Sequence, residues 1–360
     1  MAEILLKAPI GKYKYIVENS FEGLGDEVKK LVGTECKMLI ISDSNVWNEY
    51  GNAVSEIFEA NEMKADKLIV DSTEEPRCAK DLKAGFDKLM ADEYSKDDYI
   101  IGFGGDVVSK YAGFLAATFK STMNLIYIPT SVISMAESTT GGKCSLEEGT
   151  ETYCFPKLVF ANVSCLNTLS ERDYYSGFSR IMKTAIVKSA SVYEWLIDKL
   201  YEISDREPGI LLDMIEQNVN LRRIYLDKDL YCKQDQMLFG LGETVASAIA
   251  SVKGDELSSG DCLTLGILTA AHISMKRDML SLDEYLEIRD MFVPFNLPIS
   301  VENVDVDELT SLIRDRLIIN PDFILLKKIG KAVTDRNISD EEIKAALGEI
   351  RFSDDDYVVD

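Results

Sequence analysis

Residues 100–143 read IIGFGGDVVSKYAGFLAATFKSTMNLIYIPTSVISMAESTTGGK. The stretch opens on a continuous apolar run that ends in the pair Gly104–Gly105. Helical spacing of apolar residues follows, then a second apolar run at 124–129, and a second glycine pair at Gly141–Gly142. A buried strand, a glycine turn, a helix and a further strand form the unit with which α/β folds build dinucleotide sites. The glycine turn lets backbone approach a phosphate, and the helix N-terminus presents its amides to it.

The same alternation extends outward. KMLIISDSNV (37–46) and KADKLIVDS (64–72) read as strands, and CAKDLKAGFDKLMADEY (78–94) has helical spacing. Strands alternating with helices imply a mostly parallel sheet with both faces covered. After residue 163 the texture changes. The segments 172–203, 209–230, 243–252, 261–279 and 281–295 all carry helical periodicity. The fold class expected is therefore α/β plus all-α. Residues 1–162 form a Rossmann-like dinucleotide-binding domain, and residues 163–360 form a helical domain.

The chain of 360 residues has 39 basic and 62 acidic residues, a net charge of −23. Such a surface repels nucleic acid and anionic membranes, and any anionic ligand needs a local basic pocket. No apolar run approaches the roughly 20 residues of a membrane span. The opening MAEILLKAPIGKYK lacks the pattern of a signal peptide. A cytoplasmic location is expected. Seven cysteines stand without a CxxC pair and read as reduced core residues. The single histidine, His272, follows Leu265 and Leu268 on one helix face, so it reads as structural.

Three segments carry a closer resemblance: GGDVVSKYAGFLAATF, IPTSVISMAESTTGGK and LNTLSERDYYSGFSRIMK. In this order and spacing they resemble the 3-dehydroquinate synthases of the sugar-phosphate cyclase superfamily, almost end to end. The resemblance implies an NAD-binding domain followed by a helical one, with the active site between them. It also implies a reaction that closes a seven-carbon sugar acid phosphate into a carbocycle, with loss of phosphate. NAD and a divalent metal, zinc or cobalt, are the family's cofactors, and homodimers are its usual assembly.

Carried over residue by residue, the resemblance assigns the cofactor side to Asp43, Asn45, Glu74, Arg77, Gly104, Gly105, Asp106, Thr130, Ser131 and Lys143. Asp106 stands where the family has a third glycine, which sets a carboxylate beside a pyrophosphate. Lys110 replaces a family aspartate, and Glu137 lengthens another. Lys143, Lys183 and Arg222 match substrate-binding cations and are the candidate catalytic residues. The metal-ligand positions are changed throughout: Arg180 for a glutamate, Glu243 and Ser259 for histidines. Ser247 replaces a further histidine of the substrate site, and the loop between Lys143 and Pro156 is shorter than the family's.

Zinc needs three or four correctly typed ligands, so no metal is expected here. An ion pair between Arg180 and Glu243 is predicted in its place. Three functions follow from the resemblance. The first is a family protein that has lost metal-dependent cyclisation but still binds NAD, an anionic sugar-like ligand or a protein partner. The second is a metal-free NAD-linked enzyme acting on a sugar phosphate or sugar acid. The third is an active 3-dehydroquinate synthase.

Overall fold

The computed structural model describes residues 1–33, 35–70, 79–146, 150–231 and 235–352. It divides into two compact units, residues 1–169 with 206–231 and residues 170–205 with 232–360.

The first unit opens with a hairpin, β1 (Ala2–Lys7) and β2 (Lys12–Glu18), followed by α1 (Leu24–Val32), β3 (Met38–Asp43), α2 (Ser44–Ala60), β4 (Ala65–Val70), α3 (Ala79–Ala91), β5 (Tyr99–Gly104), α4 (Asp106–Thr118), β6 (Asn124–Pro129), β7 (Lys143–Ser145), β8 (Glu151–Tyr153) and β9 (Leu158–Asn162). The chain then runs through α5 (Glu171–Lys188), α6 (Ala190–Asp198) and α7 (Leu200–Ser204) of the second unit. It returns to the first with α8 (Pro208–Leu226).

Seven strands form one sheet in the order β1-β2-β9-β6-β5-β3-β4. All neighbours are parallel except β1 and β2. Strands β3 and β5 are buried at every residue, as their unbroken apolar runs require. Ile40, Ile101, Phe103, Ile126, Ile128 and Phe160 form one core cluster with Leu24, Val28, Val54 and Phe58 from the covering helices. Full burial of each such side chain contributes about 1.5–3 kcal/mol.

The chain goes from β3 outward to the edge strand β4, then back past β3 to β5. The ends of β3 and β5 therefore flank a topological switch point, where α/β sheets place their ligands. Register puts Ser42 opposite Phe103 and Gly104 opposite Pro129, which aligns the carboxyl ends of β3, β5 and β6.

The second unit adds α9 (Glu243–Lys253), α10 (Ser259–Lys276), α11 (Leu282–Phe292), β10 (Val301–Glu302), α12 (Val306–Ile319), β11 (Phe323–Lys328), β12 (Lys331–Asp335), α13 (Asp340–Ile350) and β13 (Arg351–Phe352). Helix α10 is its buried axis, with all positions from Cys262 to Ser274 buried. Three capping boxes, at Ser258, Ser281 and Ser339, start α10, α11 and α13.

Two details depart from the sequence expectation. A single cut after residue 162 does not describe the packing, because α8 lies against β1 and β2 of the first unit. The second unit is helical but not all-helical: FILLKK and KAVTD pair as an antiparallel hairpin, and β10 pairs with β13. The burial of β11, four buried residues then two exposed, follows its apolar start and its lysine end.

No described helix is long and apolar enough to cross a membrane. Five described cysteines are free. Burial pushes the Cys144 and Cys262 thiols up to about 11 and those of Cys154 and Cys165 to about 12, which leaves them poor nucleophiles. His272 is buried, with its ring edge-on to Tyr285, and burial lowers its pKa. It sits in the core of the second unit, as the sequence predicts.

Candidate functional site

Of the residues expected on the cofactor side, Asp43, Asn45, Gly104, Gly105, Asp106, Thr130 and Ser131 lie at or just past the aligned ends of β3, β5 and β6. Asp43 ends β3 and caps α2, where its Oδ1 accepts from the Asn45 and Val46 amides at 2.9 and 3.0 Å. Asn45 itself is exposed. Gly104 ends β5, and Gly105 caps α4 with extended backbone. A Cβ at Gly105 would meet only Ser131, at 3.5 Å, so the turn keeps an open face. The Thr130 amide donates to Gly104 O at 3.0 Å, and Ser131 Oγ lies 3.0 Å from Ser134 Oγ. A five-residue π-helical turn, Ser134–Ser138, follows. Glu74 and Arg77 lie outside the described residues.

Asp106 occupies the first turn of α4, and both oxygens of its partly buried carboxylate have partners. Lys110, one turn on, pairs with it at 2.7 Å, and Ser138 Oγ donates to its other oxygen. The charge beside the glycine turn is thus matched by Lys110.

The candidate cations show the same arrangement. Arg222 projects from α8, with its side chain 10% exposed. Its Nε donates to Thr140 Oγ1 at 2.8 Å, and a terminal nitrogen lies 3.5 Å from Glu137 Oε1. Asn218, one turn earlier, donates to Ala136 O at 2.8 Å. Tyr13 accepts from the Gly141 amide at 2.9 Å, and burial raises its pKa. Lys143 begins β7 and pairs with Glu151 of β8 at 2.6 Å, both about half exposed.

In the second unit Arg180 and Lys183 stand on consecutive turns of α5, and both donate to Glu243 Oε1. The Lys183 contact is 2.7 Å. The side chains of Arg180, Lys183 and Glu243 are 15%, 1% and 40% exposed. Glu243 is placed by Gly242, whose φ of +78° suits glycine. A Cβ there would approach the Ile267 amide nitrogen to 2.6 Å, so α9 starts in direct contact with α10.

The predicted ion pair between Arg180 and Glu243 is present, and Lys183 joins it. Ser259, the third position that the resemblance gives to a metal ligand, is exposed in the first turn of α10 and shares no hydrogen bond with Arg180 or Glu243. Ser247 is tied elsewhere. Arg316 Nε donates to its Oγ at 2.8 Å, and another Arg316 nitrogen donates to Ser251 Oγ at 2.7 Å.

A divalent metal does not fit this donor set. Guanidinium and ammonium groups offer no lone pair, and one carboxylate with a detached serine cannot complete a coordination shell. Among the described residues no group of three or more His, Cys, Asp or Glu could hold a metal ion. A dinucleotide does fit the first unit, because the open glycine turn and the α4 amides lie at the switch point. Sequence reasoning missed the carboxylates Glu151 and Glu137 as partners of Lys143 and Arg222. No spacing rule joins Glu137 to a residue 85 positions away.

The 3-dehydroquinate synthase N-terminal model matches residues 67–176 and the C-terminal model matches residues 177–316. A 3-dehydroquinate synthase of Acetivibrio thermocellus is 25% identical over 351 residues, covering 94% of this chain and 97% of that protein. One of Coxiella burnetii is 25% identical over 344 residues, covering 92% and 94%.

Among solved structures, a 2-epi-5-epi-valiolone synthase from Streptomyces hygroscopicus subsp. jinggangensis, with NAD+ and Zn2+ bound, superposes with a TM-score of 0.88. It has 20% identity and covers 96% of this chain and 98% of that one. A 2-deoxy-scyllo-inosose synthase complexed with carbaglucose-6-phosphate, NAD+ and Co2+ gives 0.86 at 17% identity, covering 96% and 99%. A glycerol dehydrogenase from Schizosaccharomyces pombe shares the fold more distantly, at 0.64 and 15% identity, covering 93% and 88%. With both halves of the family model matched in order over a fold of this kind, the chain belongs to the 3-dehydroquinate synthase family of sugar-phosphate cyclases.

Proposed function

We propose that this family member has given up metal-dependent cyclisation and acts as a binder of a small ligand or a protein, with NAD held at the Gly104–Gly105 turn. One observation carries the reading. Each cation at an inherited substrate or metal position touches a carboxylate of the same unit: Arg180 and Lys183 share Glu243, Arg222 lies against Glu137, and Lys143 pairs with Glu151. An incoming anion would have to compete with these carboxylates. Without a metal, several kcal/mol of Lewis-acid stabilisation is missing from a cyclase transition state. By family habit, the protein is placed in the cytoplasm as a homodimer.

A second reading rests on the same cations. Lys143, Lys183 and Arg222 keep the types of an anion grip, and Asp106 is neutralised beside the glycine turn. A metal-free NAD-linked reaction on a sugar phosphate or sugar acid would use them in that role.

Metal analysis and NAD+ titration of one purified sample test the proposal. The expected result is no stoichiometric zinc or cobalt, and saturable NAD+ binding that a chelator leaves unchanged. Stoichiometric metal, with NAD+ binding lost on chelation, overturns it.

A further inference from the structure

The β11–β12 hairpin of the second unit has one covered edge and one open edge. On the β11 side, the Leu326 amide donates to Ser274 Oγ of α10 at 2.9 Å. The turn is pinned as well: the Ile329 amide donates to Glu284 at 3.2 Å, and the Gly330 amide to Ile186 O at 2.7 Å. Among the described residues, no amide from Ala332 to Asp335 has a partner beyond β11. All of Ala332–Arg336 line a groove of about 710 Å³ instead. Lining by consecutive strand residues means that the groove reaches the backbone of the strand as well as one of its faces.

The groove has a definite chemistry. Met237, Leu238 and Met279, which follows α10, line it with adaptable apolar side chains, beside the polar Asp322, Thr334, Asp335 and Arg336. The two acids at its rim are already paired, Asp322 with Arg336 at 2.7 Å and Asp335 with Arg277 at 3.0 Å. Lys327 is different. The register shift between Leu326 and Lys328 makes it the bulged residue of β11, it lines the groove, and it is exposed. It has no ion-pair partner among the described residues. In a chain of net charge −23, this groove therefore carries one unmatched positive charge.

Beyond Arg336 the surface continues into a second hollow of about 260 Å³, lined in part by Ile318. Ile318 and Ile319 are 80% and 76% exposed, an apolar pair that a surface otherwise rich in charge does not need.

We propose that the open edge of β12 receives an extended peptide segment of a partner protein as a third strand. Its alternate apolar side chains enter the methionine-lined groove, and one acidic residue pairs with Lys327. A small molecule fits less well, because the groove offers backbone along a line rather than convergent polar groups. A second copy of this chain at this edge is the competing occupant, and the test separates it from a partner peptide.

The test pans random linear displayed peptides on the full-length chain and measures the enriched sequences as synthetic peptides by calorimetry. The expected peptides carry alternating apolar residues with one Asp or Glu. Lys327→Glu and Met279→Lys should each weaken binding about tenfold or more, while circular dichroism stays unchanged. Lys327 is an exposed side chain, so K327E keeps the test valid if M279K disturbs folding. No enrichment over a blank surface overturns the proposal, as does binding indifferent to both variants. Lys327-dependent self-association without peptide binding also overturns it, in favour of a second copy.

Discussion

Replacing Glu243 with alanine is expected to destabilise the second unit by about 2 kcal/mol, read from urea unfolding of the full chain. The carboxylate takes hydrogen bonds from Arg180 and Lys183, whose side chains are only 15% and 1% exposed. Removing one partner from a fully buried ion pair costs about 3–5 kcal/mol, because a desolvated charge is left behind. Glu243 is 40% exposed, so water screens part of that, which brings the figure down. Glu243→Gln keeps an acceptor oxygen and should lose less. A loss within about 0.5 kcal/mol, the range of ordinary surface substitutions, would mean that the cations do not depend on Glu243.

Arg277→Ala should cost a similar amount, about 2 kcal/mol, with a distinctive pH signature. Arg277 joins the end of α10 to α13 and β12. It holds Glu342 through two nitrogens at 2.5 and 2.8 Å and Asp335 at 3.0 Å. The guanidinium, helped by hydrogen bonds at the Ser339 cap, lowers the Glu342 carboxyl from 4.5 to about 2. A carboxyl with a depressed folded pKa stabilises fully above its unfolded value. That contribution declines as pH falls below 4.5, and it is gone once pH falls through about 2. Both side chains are about a quarter exposed, so the full shift is not converted into stability. The gap between wild type and R277A should be widest above about pH 5 and should narrow toward about pH 2.5. A gap independent of pH would assign the loss to packing alone.

The sheet was legible because β3, β5 and β6 are buried on both faces and their apolar runs are unbroken. The strands that periodicity did not reveal are short or lie near the chain start. β1 and β2 alternate as LLK and KYKYIV, mixed with lysine, and β9 is a five-residue run. The helical reading of the second half missed the β11–β12 hairpin, since four apolar residues in a row suit a buried helix turn as well as a strand.

At the site, residue types were readable from position against the family pattern, and so was the Arg180–Glu243 pair. The pairing of Arg222 with Glu137 and of Lys143 with Glu151 was not. The first depends on α8 returning to the sheet of the first unit, and the second on a hairpin register. Neither is a local property of sequence. Asp106 changes meaning for a related reason. A carboxylate beside a phosphate turn reads as a fault, but Lys110 lies one helical turn away on the same face and takes it up.

Cyclisation releases inorganic phosphate in this family, and phosphate release decides the central claim most directly. Purified protein would be supplied with the family's seven-carbon sugar acid phosphate, NAD+ and either zinc or cobalt, with and without chelator. Glu243 holding Arg180 and Lys183, at the position proposed for the family's metal, predicts no chelator-sensitive release above the protein-free control. Sustained phosphate release that a chelator abolishes would contradict the account.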